Sequence, residues 1–362
     1  MDLLATTTRG LESIAAAETD RLVGASPHVH HPGWIAFEGD TEDIVTLNAR
    51  ARTLNRVLVS LVDQSATTLD AIGDATESVP VADYVDSGQS IAVESTRIGT
   101  HEFGSPDVSD VVGQAILDSH RRATGDRLPV DLDDPDVVFR AVVRHDRFTL
   151  AIDTTGPVSL HRRPYRVRDH PAPVKPTIAA AMLDIADADA TTTVVDPFCG
   201  VGTVPIEAAL AASGRSPNAA RETFAFQSLP FVPDGALVEY RAGHESSDAE
   251  PMVVGADSDR SCVRAARENA AVADASVEWL TADARSHVPA ADVVVTDLPF
   301  DIRTDHGDLR PLYREFCAAV ADSAADRLVA LTVRPDLLPL DIDRSYEFRD
   351  GRLDVTIADI SL

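Results

Sequence analysis

Four short apolar runs in the second half of the chain each stop at an aspartate: Val194-Val195-Asp196, Val253-Val254-Gly255-Ala256-Asp257, Trp279-Leu280-Thr281-Ala282-Asp283 and Val293-Val294-Val295-Thr296-Asp297. Stretches with helical spacing of apolar residues, over 178–185, 203–210 and 258–271, lie before and between them. Apolar strands alternating with helices are what a mostly parallel sheet covered on both faces requires, because its strands are buried on both sides. The pattern predicts an α/β fold with an open, doubly wound sheet from residue 177 onward. Residues 346–362 read as two more strands around Asp350-Gly351, an antiparallel hairpin closing that sheet. Ligands of such sheets sit beyond the carboxyl ends of the strands. The four aspartates therefore mark the binding edge.

The first strand runs into Asp196-Pro197-Phe198-Cys199-Gly200-Val201-Gly202-Thr203. Gly200 and Gly202 allow a tight turn and close backbone approach, and the helix beginning at Thr203 aims its N-terminus at a ligand. The spacing is not that of the dinucleotide G-x-G-x-x-G turn. An Asp directly before a Pro-x-Cys-Gly-x-Gly-Thr turn resembles motif I of class I S-adenosylmethionine (SAM) methyltransferases, whose catalytic domain is Rossmann-like. The resemblance implies SAM as cofactor. Asp196, Cys199, Gly200, Gly202 and Thr203 would surround its methionine end, Asp257 and Ser258 its ribose, Asp283 and Ala284 its adenine. No metal is implied, since the methyl donor is already activated.

The fourth strand ends in Asp297-Leu298-Pro299-Phe300. This resembles the [Asp/Asn]-x-Pro-[Tyr/Phe] motif of methyltransferases acting on exocyclic nitrogens of bases. Such an amine is a poor nucleophile, its lone pair being delocalised into the ring. A carboxylate (Asp297) and a neighbouring carbonyl (Leu298) can hold its hydrogens and orient the nitrogen. Pro299 fixes the turn and Phe300 stacks on a base taken out of its helix. Cys199 lacks the partner loop that a cysteine nucleophile acting on cytosine needs, and reads as a small packing residue.

The first half divides in two. Residues 1–61 read as a small ferredoxin-like unit: a helix with Leu11, Ile14, Ala15 and Leu22 at helical spacing, a strand over 34–38, and a helix through Ile44, Leu47, Ala51 and Leu54. Residues 62–157 read as an α+β module with strands at 90–95, 137–143 and 148–152 and a helix over 107–123. Arg97-Ile98-Gly99-Thr100-His101-Glu102-Phe103 after its first strand, and Asp131-Leu132-Asp133-Asp134-Pro135-Asp136 before its hairpin, resemble a THUMP domain, an RNA-binding module of tRNA-modifying enzymes. A linker over 158–176 follows, with His161-Arg162-Arg163-Pro164-Tyr165-Arg166-Val167-Arg168 at its centre. Arginines pair with phosphates in bidentate fashion and tyrosine stacks on bases. Arg162, Arg163, Tyr165, Arg166 and Arg168, with Arg97, are the candidate RNA contacts; local charge balance against Asp153 and Asp169 is the plainer reading. The catalytic domain occupies 177–362.

Taken together, Arg163-Pro164-Tyr165-Arg166, the run 173–179 and Asp-Leu-Pro-Phe with Arg303 and Leu312-Tyr313 resemble archaeal THUMP-containing tRNA guanine-N2 methyltransferases acting on guanosine 6. Asp301 departs from that family's usual Gly. The same chemistry at tRNA guanosine 10 or in ribosomal RNA, and an RNA-binding protein without turnover, are the alternatives; DNA is not an expected partner.

Charge decides little about partners. The chain holds 43 Asp and 16 Glu against 31 Arg and the single Lys175, net −27, spread through every segment. That composition resembles proteins of salt-in halophilic archaea, and at molar salt the Debye length of about 3 Å screens repulsion from nucleic acid. No apolar run reaches the roughly 18 residues of a membrane span. Three cysteines without a C-x-x-C pair exclude a zinc ribbon or disulfide scaffold. A cytoplasmic enzyme is expected.

Overall fold

The computed structural model describes residues 1–169, 173–243, 252–300 and 308–362. The chain first lays down β1 (Asp2–Thr7), α1 (Glu12–Val23), β2 (His28–His31), β3 (Trp34–Glu38), α2 (Thr41–Arg50) and β4 (Leu54–Ser65). Then come α3 (Leu69–Glu77), β5 (Ile91–Ile98), α4 (Ser105–Thr124), β6 (Val137–Arg144) and β7 (Arg147–Asp153). These strands form one sheet in the order β2-β3-β1-β4-β7-β6-β5. Its continuity comes from β4, which pairs with β1 from Leu54 to Val59 and with β7 from Leu58 to Ser65. The register shifts between Ser60 and Val62, a bulge that bends the strand. The 61/62 division between the first two units falls there, inside one strand.

Two local expectations change. The helix expected to reach Leu54 stops at Arg50: Ala51 turns extended and frees the chain to start β4. Its start is sharp because Asp40 and Asp43 form a reciprocal capping box. β1 was not legible because Leu3, Leu4 and Ala5 are all buried, leaving no polar face to alternate with.

The second sheet is built from α5 (Pro176–Ile185), β8 (Val194–Asp196), α6 (Thr203–Ala212), α7 (Ala236–Gly243), β9 (Val253–Asp257), α8 (Arg260–Ala273), β10 (Glu278–Thr281), β11 (Val293–Asp297), α9 (Arg310–Ala321), β12 (Arg327–Thr332), β13 (Arg344–Asp350) and β14 (Leu353–Ser361). Strand order is β10-β9-β8-β11-β12-β14-β13. The first five are parallel; β14 runs antiparallel to β12 and β13. Winding reverses between β8 and β11, so a crevice opens at their carboxyl ends. Ile178, Met182, Val204 and Ala208 cover one face, and Tyr313, Phe316 and Val320 the other.

The two sheets interlock. Leu11 enters the core of the second sheet. Gly10, at φ 93°, lies so close to β13 that a Cβ there would fall 2.8 Å from the Glu347 carbonyl. In the other direction, the strap between α6 and β9 sends Phe224, Phe226, Leu229, Val232 and Leu237 into the core of the first sheet. The Phe226 amide donates to the Thr154 carbonyl at 2.9 Å, and Phe231 meets Tyr84 edge-on at 5.7 Å.

Candidate active site

The crevice is a cleft of about 690 Å³, lined by Asp196, Asp257 and Asp297 at their strand ends and by Asp283 just past β10. Asp196 is buried; its Oδ1 accepts from the Thr296 hydroxyl at 2.6 Å and the Phe198 amide at 3.1 Å. Burial, with Asp257 adding repulsion, pushes its carboxyl up to about 7. The glycine turn is pinned at three places: Cys199 N–H to the Ala256 carbonyl at 2.9 Å, Gly202 N–H to the Cys199 carbonyl at 2.8 Å, and Gly200 N–H to Asp257 Oδ2 at 3.0 Å. Gly200 (φ 51°) and Gly202 (φ 90°) both take the left-handed conformation. Beside Gly200 there is open space, as a turn needs if a ligand is to approach it. Asp257 Oδ1 accepts from the Asp259 amide at 2.8 Å.

Two residues beyond β10, Asp283 accepts from the Arg285 amide at 3.0 Å and from its guanidinium, with Nη2 at 2.6 Å from Oδ2. Those bonds hold its carboxyl below the usual carboxylate range. Asp297 is different. The residue is half-buried, yet its Oδ1 is closed off from solvent and has no hydrogen-bond partner among the described residues. Burial first, then the charges of Asp196 and Asp350, push its carboxyl well up. A buried carboxylate oxygen facing a cleft without a donor is costly unless something arrives to bond it.

The turn after Asp297 is held rigidly. Leu298 N–H donates to the Leu331 carbonyl at 2.9 Å. The Tyr313 hydroxyl reaches the Pro299 carbonyl at 3.3 Å and Thr332 Oγ1 at 2.7 Å. Leu298, Pro299 and Phe300 line the cleft with Asp297, as do Cys199, Gly200, Thr203, Ser258 and Ala284. Gly202 lies beneath the turn, against Trp279. Asp301 and Arg303 fall outside the described residues.

The linker departs from expectation. Arg163 and Tyr165 are buried and bonded to Glu207 of α6, so neither offers a surface to RNA; both assignments are corrected. Arg166 is turned inward too, donating to Thr203 Oγ1 at 2.6 Å and the Val174 carbonyl at 2.7 Å. Arg162 and Arg168 remain exposed, Arg168 paired with Glu268. Arg97, on the edge strand β5, donates to the Gly99 carbonyl at 2.8 Å and does not line the cleft. Cys262 is half-buried and lines the cleft, while Cys317 is buried. Thr296, Arg285 and Glu207 were missed. Only Thr296 gave a signal, a polar residue interrupting a valine run.

Comparison with known proteins decides the family. The RMKL-like methyltransferase domain matches residues 163–349. The chain belongs to that family. A THUMP domain matches 66–153 and an RlmL ferredoxin-like domain 2–58, so the fold class expected from sequence holds. The tRNA (guanine(6)-N2)-methyltransferase of Archaeoglobus fulgidus is 35% identical, over 91% of this chain and 82% of the relative. The enzyme of the same name from Methanocaldococcus jannaschii is 30% identical, over 92% and 90%. A possible methylase from Clostridium difficile 630 shares the fold with a TM-score of 0.88 at 23% identity, over 99% and 97%. No helix among the described residues is long and apolar enough to cross a membrane.

Proposed function

We propose that this methyltransferase transfers a methyl group from SAM to the exocyclic N2 of a guanosine in tRNA, at position 6 of the acceptor stem. The observation that carries the reading is Asp297: a shielded oxygen without a donor, at the end of β11, on the wall of the cleft. An arriving amine supplies the missing N–H, and that bond favours the ionised carboxylate, opposing the upward push of burial. Asp297 and the Leu298 carbonyl hold the two amine hydrogens, and Phe300 stacks on the base. The rigid Tyr313–Pro299 contact keeps this geometry preorganised.

The cleft fits the cofactor. Its volume suits a ligand of that size, the space beside Gly200 accepts close approach, and three carboxylates stand where polar groups must be met. Asp257 and Ser258 would take the ribose, Asp283 and Ala284 the adenine; Asp196, Cys199, Gly200 and Thr203 would surround the methionine end, with Gly202 supporting the turn from beneath. When bound, SAM supplies a methyl already activated by its sulfonium. Residues 1–61, 62–157 and 158–176 act as an N-terminal unit, an RNA-binding module and a connector to the catalytic domain at 177–362. In this reading exposed Arg162 and Arg168, and Arg97, contact RNA. The enzyme works in a salt-rich cytoplasm. The names of the two archaeal relatives support the substrate.

The test is methyl transfer to unmodified tRNA in concentrated KCl, with digestion and mass spectrometry of the nucleosides. N2-methylguanosine mapped to position 6 is expected. Asp297→Ala should lower transfer by about 10²–10³-fold or more, the scale of removing a transition-state contact, while cofactor binding stays nearly unchanged. No N2-methylguanosine in tRNA, or an active Asp297→Ala, would refute the assignment.

A further inference from the structure

The inward-facing linker has its partner on the helix that opens at the glycine turn. Glu207, wholly buried in the middle of α6, accepts from Arg163 Nε at 3.0 Å and from the Tyr165 hydroxyl at 2.9 Å. Arg163 donates further to the Leu160 carbonyl at 2.7 Å and the Arg52 carbonyl at 2.8 Å. Arg52, in the turn between α2 and β4, spans two carbonyls of the catalytic domain, Glu207 at 3.3 Å and Arg215 at 2.8 Å. Glu18 of α1 holds that turn in place by accepting from the amides of Arg52 at 2.7 Å and Thr53 at 2.9 Å. Two arginines and two glutamates thus form one buried cluster, drawn from α1, the α2–β4 turn, the linker and α6. One turn earlier on the same helix, Arg166 grips Thr203 at the cofactor cleft.

Such a cluster is poor value as a stabiliser, because apolar side chains of equal volume would hold two bodies together as firmly. What it adds is uniqueness. Apolar surfaces can slide over one another, whereas forked guanidiniums bonded to fixed carbonyls and a carboxylate permit one arrangement. The arrangement so fixed is the placement of the first sheet, with its RNA-binding module, against the helix that leads out of the catalytic edge.

We propose that the Glu207 cluster is a gauge: it fixes the distance from the RNA-holding module to Asp297 and so selects which guanosine enters the cleft. Arg52, Arg163 and Glu207 are positioning residues, touching neither cofactor nor base. The proposal rests on the tRNA reading above. It predicts that loosening the cluster alters where the methyl goes more than whether chemistry occurs.

The experiment compares wild type with Glu207→Gln and with Arg52→Lys, which keeps the charge but loses the fork. Each is given whole tRNA and a short stem–loop containing guanosine, and the products are mapped by nuclease digestion and mass spectrometry. Melting temperatures identify the folded variants; Arg52→Lys is the milder change should Glu207→Gln fail to fold. Cofactor affinity and transfer to the stem–loop should stay within about 2-fold. On whole tRNA, kcat/KM should fall about 10- to 100-fold, the scale set by a displacement near 1 Å, and methyl should appear on neighbouring guanosines. Folded variants that methylate the wild-type position alone, at the wild-type ratio between the two RNAs, would overturn the gauge while sparing the substrate assignment. Equal losses on both RNAs would also overturn it. Wild type that binds SAM but methylates no tRNA removes the substrate reading and the gauge with it.

Discussion

Trp279 is wedged between two glycines, and that contact sets a measurable limit on the cofactor edge. Trp279 on β10 lies directly opposite Gly255 on β9. A Cβ added at Gly255 would fall 2.6 Å from Trp279 Cε3 and 3.2 Å from Pro205 Cγ. The indole cannot retreat freely, because the position of a Cβ on Gly202 is already 2.7 Å from Trp279 Cη2. Carbon atoms prefer about 3.5–4.0 Å, so Gly255→Ala must displace the ring or the strand by roughly 1 Å. Overpacking of this kind costs about 1–3 kcal/mol, and with rigid neighbours on both sides the upper half of that range applies. At about 2–4 °C per kcal/mol for a domain of this size, the thermal midpoint should drop by roughly 4–12 °C. The strain falls two residues before Asp257, whose Oδ2 accepts from Gly200, so cofactor affinity should fall as well, by about 10-fold. Thermal unfolding in concentrated KCl, followed by far-ultraviolet circular dichroism, and calorimetric titration with SAM read the two effects. Trp279→Leu should relieve the strain, giving a favourable coupling of about 1–2 kcal/mol in the double variant. A midpoint within 2 °C of wild type, or no coupling, would show that the ring yields and that the wedge does not exist.

Two further expectations concern buried polar groups. The Asp196 carboxyl, raised from 3.8 to about 7 by burial, binds its proton more tightly folded than unfolded; stability should therefore decline as pH rises from about 4 to about 7 and level off above. Asp196→Asn should remove that slope, worth on the order of a few kcal/mol, and a parallel pH dependence of melting in both proteins would contradict it. Tyr313→Phe removes the bonds to Thr332 and the Pro299 carbonyl and should cost about 1–2 kcal/mol. It should lower kcat with little change in SAM affinity; an unaltered kcat would separate Tyr313 from the Asp-Leu-Pro-Phe turn.

The catalytic edge was readable because its information is local. A parallel strand buried on both faces announces itself as a run of valines, and its end must carry the ligand-facing residue, so Asp196, Asp257 and Asp297 close their strands as read. Long-range pairing hid the rest. The arginines of the linker read as a nucleic-acid surface because Glu207 stands more than forty residues downstream of Arg163, and nothing in the linear order ties them. β1 was lost to its central position, and β4 to a bulge that changes which face its side chains take. The orphaned oxygen of Asp297 belongs to three dimensions alone, since an identical strand end with one nearby donor would look the same in sequence.

The strap that runs from the catalytic domain into the first sheet bears on how the protein is made. A ribosome releases the last strand of that sheet, ending at Asp153, long before Phe224, Phe226 and Leu237 that complete its core. At 5–20 residues per second, the interval between Asp153 and Leu237 is about 4–17 s. Throughout it the nascent N-terminal half carries an apolar face whose packing partners are not yet synthesised. The order of synthesis thus makes a segment of the catalytic half the finishing piece of the first sheet's core.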